Sequence, residues 1–196
     1  MLLHGPLMTV EKIYPGELAS PLEILRLADE YRKAAHALHP LGIRKKPLSR
    51  APMRLVSIQA IELYLNALLL HCGNTPAKVR GLQHDLEDRT EQAVACGLKL
   101  RVKTAEHLKT MGRNREYLVM RYGPEMASTA SQINRLYATL EEVSSKVSKL
   151  LGTDVSSPDG REFKQARPEK SQGGTKKKGA PNISDSTCPK LQVRSG

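Results

Sequence analysis

The chain of 196 residues contains no tryptophan and one phenylalanine, Phe163. Aromatic residues make up only 4% of it, so any core has to be assembled from Leu, Ala, Val and Ile. That palette favours helices, because strands draw more heavily on aromatic and β-branched side chains. Cysteine is equally sparse. Cys72, Cys96 and Cys188 are an odd number at wide spacing, with no CxxC pair and no Cys/His ligand pattern. A disulfide framework and a zinc site are therefore not expected, and a reducing cytoplasm is. Cys72 and Cys96 stand in apolar helical context and read as small buried hydrophobes. No glycine-rich phosphate loop or dinucleotide fingerprint occurs, and no cofactor is implied. No repeat of fixed period is visible. The stretch Met1–Tyr14 is interrupted by His4, Gly5 and Pro6 and does not read as a signal peptide. The longest apolar run, near Leu63–Leu70, contains Asn66 and reads as too short to cross a bilayer, so no membrane association is expected.

What is abundant is positive charge. The net charge is +11 and the isoelectric point is near 9.7, a balance that suits polyanionic partners such as nucleic acid. Residues 1–19 read as an irregular leader. Ser20-Pro21-Leu22-Glu23 is a helix start, with Ser as N-cap, Pro at the first position and Glu three residues after the cap. That helix is expected to run to about Leu38 and to stop before Pro40. A basic loop follows from Gly42 to Pro52, carrying Arg44, Lys45, Lys46 and Arg50. The most apolar helix is predicted over 52–72, ended by Gly73. Apolar on almost every side, it predicts a central place in a bundle and contact with a second copy of the chain. Gln59, Glu62 and Asn66 give it one narrow polar stripe.

Thr75-Pro76 predicts a short helical turn to Gly81, and Asp85 an N-cap for a helix over 86–96. A further helix is expected over 100–111, with Gly112 interrupting it before Arg113–Tyr122. Gly123-Pro124 is a stop, and a long amphipathic helix is expected from Met126 or Ala127 to Leu151. Residues 153–196 hold nine Lys/Arg against five Asp/Glu, with many Ser, Gly and Pro. Such a segment buries too little apolar surface to offset its conformational entropy and reads as a disordered basic tail. The expected architecture is thus all-α: a bundle of about five helices over 20–152 followed by that tail.

The segment Arg113-Asn114-Arg115-Glu116-Tyr117-Leu118-Val119-Met120-Arg121-Tyr122 concentrates three guanidiniums, an amide and two phenols in ten residues. Arginine presents a planar fork of donors and stays charged at neutral pH, so a groove faced by Arg113, Arg115 and Arg121 would take an anion, phosphate above all. Tyr117 and Tyr122 could stack on a base, although burial with a satisfied hydroxyl is the commoner place for a tyrosine. The competing structural reading pairs these arginines with Glu62, Glu106 or Glu116 inside the bundle. In His84-Asp85 the acid reads as a helix cap and the imidazole as a packed neighbour. His36 and His39 suit the end of the first helix by their charge.

The order of these features resembles the HEPN superfamily (higher eukaryotes and prokaryotes nucleotide-binding domain). A charged first helix precedes an apolar helix bearing Ala60-Ile-Glu62-Leu-Tyr-Leu-Asn66. His84-Asp85-Leu86 then opens a helix, an Arg-rich segment ends in Arg121-Tyr122, and a long helix closes the order. The resemblance spans about residues 20–150 and implies an α-bundle that commonly dimerises. Many members are metal-independent ribonucleases, several of them toxins paired with an antitoxin protein. Their site is an Arg, often followed by a polar residue, and then a His after four to six more. Here Arg113-Asn114 matches the Arg-polar pair, but Leu118, Val119 and Met120 stand where the His is expected. With Arg115 aligned instead, Arg121 takes that place. The family's glutamate corresponds to Glu62, and its frequent lysine to Asn66. RNA cleavage by its own 2′-hydroxyl needs a group that exchanges protons near neutral pH, which histidine does and arginine does not. The resemblance therefore implies a nucleotide- or RNA-binding homodimer without catalytic residues or metal, its ligand held by Arg113, Asn114, Arg115, Arg121, Tyr122, Glu62 and Asn66. The alternatives are a ribonuclease with His84 or His107 as a displaced acid/base, and a structural partner of an antitoxin or regulator.

Overall fold

The computed structural model describes residues 13–152. Local signals start its first helix, α1 (Pro21–Leu38), as expected. Glu23 accepts from the Ser20 backbone N–H at 2.8 Å, while the Ser20 hydroxyl accepts from the Glu23 N–H at 3.3 Å. This reciprocal pair satisfies two donors that every helix start leaves open. Ahead of it, the end of the leader is tied to the body by Tyr14, whose ring lies 4.2 Å under the Arg80 guanidinium, and by an ion pair from Glu17 to Arg80.

Six more helices follow: α2 (Ala51–His71), α3 (Pro76–Gly81), α4 (Leu86–Ala95), α5 (Val102–Arg113), α6 (Glu116–Tyr122) and α7 (Ile133–Leu150). No strand occurs among the described residues, and the all-α class is as the composition predicts. Five of the helices are ten residues or longer, and α3 and α6 are short additions. Helix α2 is the axis, packed chiefly against α1 and α7 and more lightly against α4 and α6. It buries thirteen residues, from Met53 to Leu69, and Tyr64 is the only aromatic among the buried hydrophobic side chains described. The Tyr64 hydroxyl donates to Asp29 of α1, which removes the cost of burying it.

The expected length of the apolar run changes. With the turn before it, α2 forms a 25-residue segment from Pro47 to His71, long and apolar enough to cross a bilayer by length and composition. Yet 72% of its most apolar window is buried against the rest of the chain, as in the core of a water-soluble protein. The bundle itself thus covers most of the apolar surface that led to the expectation of a second copy.

Helix ends explain three further differences. Cys72 and Cys96 are not buried: Cys72 is exposed and Cys96 partly so. Each stands just past the end of its helix, where Gly73 (φ 85°) and Gly97 (φ 96°) turn the chain in the left-handed region. Gly112 does not interrupt α5. A Cβ there would stand 3.0 Å from the backbone nitrogen of Glu87, so the glycine permits the close approach of α4. The break falls instead at Arg115, which is left-handed at φ 47°. Finally, α7 begins at Ile133 rather than at 126 or 127. Ser131 is held outside the helix by Glu116, which accepts from its N–H at 2.9 Å and its hydroxyl at 3.1 Å, and by Arg54, which donates to its carbonyl.

A long-range cap starts α5. Glu142 of α7 accepts from the Arg101 N–H (2.8 Å) and Nε (2.6 Å), the Thr104 hydroxyl (2.6 Å) and the Lys146 ammonium (2.7 Å). Burial alone would raise this carboxyl, but the bonds from Lys146, Thr104 and Arg101 outweigh it and hold the group at about 2.

Candidate functional site

The arginine-rich segment is not one surface. Arg113 ends α5, Arg115 forms the left-handed joint, and Arg121 lies in the last turn of α6. The joint separates two helices, and the arginines on either side of it meet different neighbours. Arg113 already has its anion. Its Nε donates to Glu87 Oε2 at 2.9 Å and its Nη2 donates to the other oxygen, a two-point fork across α4 and α5. The expected structural partners were Glu62, Glu106 and Glu116; the observed one is Glu87. The shared hydrogen bond holds the Glu87 carboxyl below its ordinary value and raises the Arg113 guanidinium.

Arg115 and Arg121 are exposed and have no ion-pair partner among the described residues. Tyr122 is 75% exposed rather than buried. Together with Asn114, Leu118, Val119 and Met126, Arg115 and Tyr122 line a shallow cleft of about 310 Å³. Arg121 lies outside this lining.

Glu62 and Asn66 do not face these arginines. Both look toward the turn that opens α4. Glu62 is buried, and its two oxygens stand 3.2 and 3.1 Å from Nδ1 of His84. The Asn66 carbonyl accepts from Nε of Arg89 at 2.7 Å. Arg89, itself buried, continues to the Gln83 carbonyl at 2.8 Å and the Asp85 carbonyl at 3.3 Å. The polar stripe of α2 therefore anchors residues 83–85. Asp85 caps α4 through the N–H groups of Glu87 (2.9 Å) and Asp88 (3.0 Å), as expected. The acid that meets His84 is Glu62, 22 positions earlier, and not its neighbour in sequence.

This turn reaches the arginine segment at one point. The His84 ring lies 4.2 Å from the ring of Tyr117 on α6, tilted by 34°. His84 keeps 34% of its side chain exposed above a buried carboxylate. A carboxylate on one nitrogen of a partly exposed imidazole is an arrangement that orients the ring for proton transfer. It stands beside Tyr117 and makes no hydrogen bond to Arg113, Arg115 or Arg121. His107, the other displaced histidine considered, is unsuited to that role. It is 8% exposed, its Nδ1 bonds the Thr139 hydroxyl at 2.8 Å, and its Nε2 is buried without a partner. Burial, with smaller contributions from Arg135 and Arg54, pushes its ring down to about 4.

One cluster joins side chains that are far apart in the chain. His36 of α1 meets Glu141 of α7 at 2.9 Å through Nε2, the Tyr137 hydroxyl sits on its Nδ1, and Arg32 adds a bond to Glu141 at 3.0 Å. In sequence His36 suits only the end of its own helix; its partners lie 101 and 105 positions away. No group of three or more His, Cys, Asp or Glu suited to a metal occurs among the described residues.

No family model, no curated protein and no solved structure matches this chain.

Proposed function

We propose that the chain is a HEPN-like helical module that binds RNA or a nucleotide without cleaving it, through Arg115, Arg121 and Tyr122 on the outer side of α6. The observation that carries this reading is the state of those side chains: two exposed guanidiniums with no carboxylate partner among the described residues, beside an exposed tyrosine at the lip of an apolar cleft. Permanent cations hold phosphate, and a free aromatic face stacks on a base of any sequence. Arg113 contributes less, because Glu87 competes for its fork. In the same reading two copies meet along this face and complete the groove, which sedimentation of the full chain tests directly.

The test is binding of a short single-stranded RNA to the full chain by fluorescence anisotropy. Arg115→Gln with Arg121→Gln is expected to weaken binding at least tenfold and to flatten its salt dependence. Arg113→Gln is expected to change it by less than about twofold, as for an exposed pair. Unchanged affinity in the Arg115/Arg121 variant would refute the α6 surface. Replacing Lys176, Lys177 and Lys178 by Gln tells tail binding apart.

A metal-independent ribonuclease is a second reading, favoured by the Glu62–His84 pair beside Tyr117. RNA incubated with the protein and a chelator should remain intact. Cleavage that disappears in His84→Ala and survives the chelator would establish the nuclease instead.

A further inference from the structure

The basic loop after α1 and the start of α7 enclose a second cleft, of about 230 Å³, with a lining that shares no residue with the cleft beside α6. Its lining includes Lys45, Lys46, Arg50 and Arg54, and no Asp or Glu. We propose that this cleft is a phosphate-binding site, sized for one phosphate group that is either inorganic or the end of a phosphomonoester.

Four observations lead there. First, Arg54 is only 7% exposed, and its positive charge is poorly answered. One nitrogen, Nη2, donates to the Ser131 carbonyl, and the other, Nη1, is buried without a hydrogen-bond partner. The nearest carboxylate oxygen, on Glu116, stands 3.7 Å from it, and both Glu116 oxygens already accept from Ser131. Burial depresses the Arg54 guanidinium; Glu116 opposes this and Arg50 adds to it. A buried cation this incompletely neutralised is costly, and an anion in the cleft would relieve it.

Second, α7 is an 18-residue helix whose cap residue, Gln132, makes no side-chain bond to its first N–H groups. Gln132 and Ile133 line the cleft, so the open donors and positive end of the helix belong to it. Third, the loop is shaped to hold its cations in place. The Ser49 hydroxyl accepts from the Ile43 N–H at 2.8 Å and donates to the Lys46 carbonyl at 2.7 Å. Lys45 is held left-handed at φ 63°, a costly conformation outside glycine. Arg50 lies across Gly42, where a Cβ would stand 2.9 Å from its side chain. Fourth, the volume is below the roughly 300 Å³ at which pockets begin to enclose whole drug-sized ligands, which suits a small ligand.

The experiment titrates the full chain with inorganic phosphate, a nucleoside 5′-monophosphate and the corresponding nucleoside, at ionic strength balanced with chloride, and reads heats by calorimetry. In the Arg115→Gln/Arg121→Gln variant, which removes the α6 surface, phosphate and the monophosphate should saturate one site, and the nucleoside should give no heat. Lys46→Gln with Arg50→Gln should weaken phosphate binding at least tenfold with unchanged helical signal. Gly42→Ala, which displaces Arg50, should weaken it without removing any cation. Arg115→Gln with Arg121→Gln should leave it unchanged, which separates this site from the α6 surface. The proposal is overturned if the wild type shows no saturable phosphate heat, if the Lys46/Arg50 variant binds as well as wild type, or if the nucleoside binds as tightly as its monophosphate.

Discussion

His107 makes the fold sensitive to mild acid, and the size of the effect follows from its surroundings. The ring is packed between α5 and α7 with Arg54 and Arg135 close enough to repel a proton, so it titrates near 4 against an ordinary 6.5. A folded-state value below the unfolded one means that the unfolded chain binds more protons between those limits. Stability from the neutral ring is therefore present above about 6.5 and is lost as the pH falls toward 4. From pH 7 to pH 5 the unfolded ring goes from about a quarter protonated to almost fully so, while the folded ring reaches about a tenth, which integrates to a loss of about 1.8 kcal/mol. Other groups titrate over the same range, so the quantity to measure is a double difference. His107→Asn removes the titration and keeps an amide where Nδ1 meets the Thr139 hydroxyl. Urea unfolding of both proteins, followed by circular dichroism at pH 7 and pH 5 in acetate and chloride without phosphate, should show wild type losing about 1.8 kcal/mol more than the variant. A double difference below about 0.5 kcal/mol would refute the claim that this ring is held neutral by burial and two cations.

Two other expectations follow from single residues. Glu142→Gln removes the charge that anchors Arg101 and Lys146; its depressed carboxyl sets a ceiling of about 3.4 kcal/mol, which the exposure of both cations reduces to about 2. Urea midpoints should show that loss at pH 7 and converge with wild type as the pH drops from 4.5 toward 2, and an equal gap at both ends would contradict it. Cys72 is exposed, yet burial of its sulfur, with the neighbouring Cys96, pushes the thiol up to about 11. Peptide-resolved labelling with a thiol reagent at pH 7 should find it about a hundredfold slower than an ordinary thiol, and an ordinary rate would show that the sulfur is open to water.

Signals that act within one turn of chain were legible in the sequence. The Ser20–Glu23 box, the Asp85 cap and the stops at Gly73 and Gly97 each depend on residues at most a few positions apart. The signals that were misread depend on partners far along the chain. Gly112 looks like a breaker until the backbone of Glu87 is seen against it. The start of α7 is set by Glu116 and Arg54, not by anything between 124 and 132 that a local rule detects. The same holds for the site. Glu62 and Asn66 were visible as a polar stripe, but their partners, His84 and Arg89, lie 22 and 23 positions on. Arg113, Arg115 and Arg121 were grouped because they are close in sequence; the left-handed residue at 115 and the carboxylate of Glu87 separate them. Cys72 follows an apolar helix and Cys96 an amphipathic one, but a residue past the last turn no longer lies on the buried face.

Glu116 stands between the two proposed binding surfaces, and it yields a prediction whose sign is informative. It begins α6, holds Ser131 ahead of α7, and is the nearest carboxylate oxygen to the buried Arg54. Glu116→Gln keeps the shape: the amide oxygen can accept from the Ser131 N–H and the amide nitrogen can donate to its hydroxyl. What it removes is the negative charge facing Arg54. The free protein should then be less stable, because a buried guanidinium loses its opposing charge. Phosphate should bind several-fold more tightly, because the ion no longer shares Arg54 with a carboxylate. RNA binding at Arg115 and Arg121 should change little. A general loosening of the start of α7 would instead lower phosphate affinity and helical signal together, so a fall in phosphate affinity with unchanged helical signal would refute the assignment of Arg54 as the buried cation of the site.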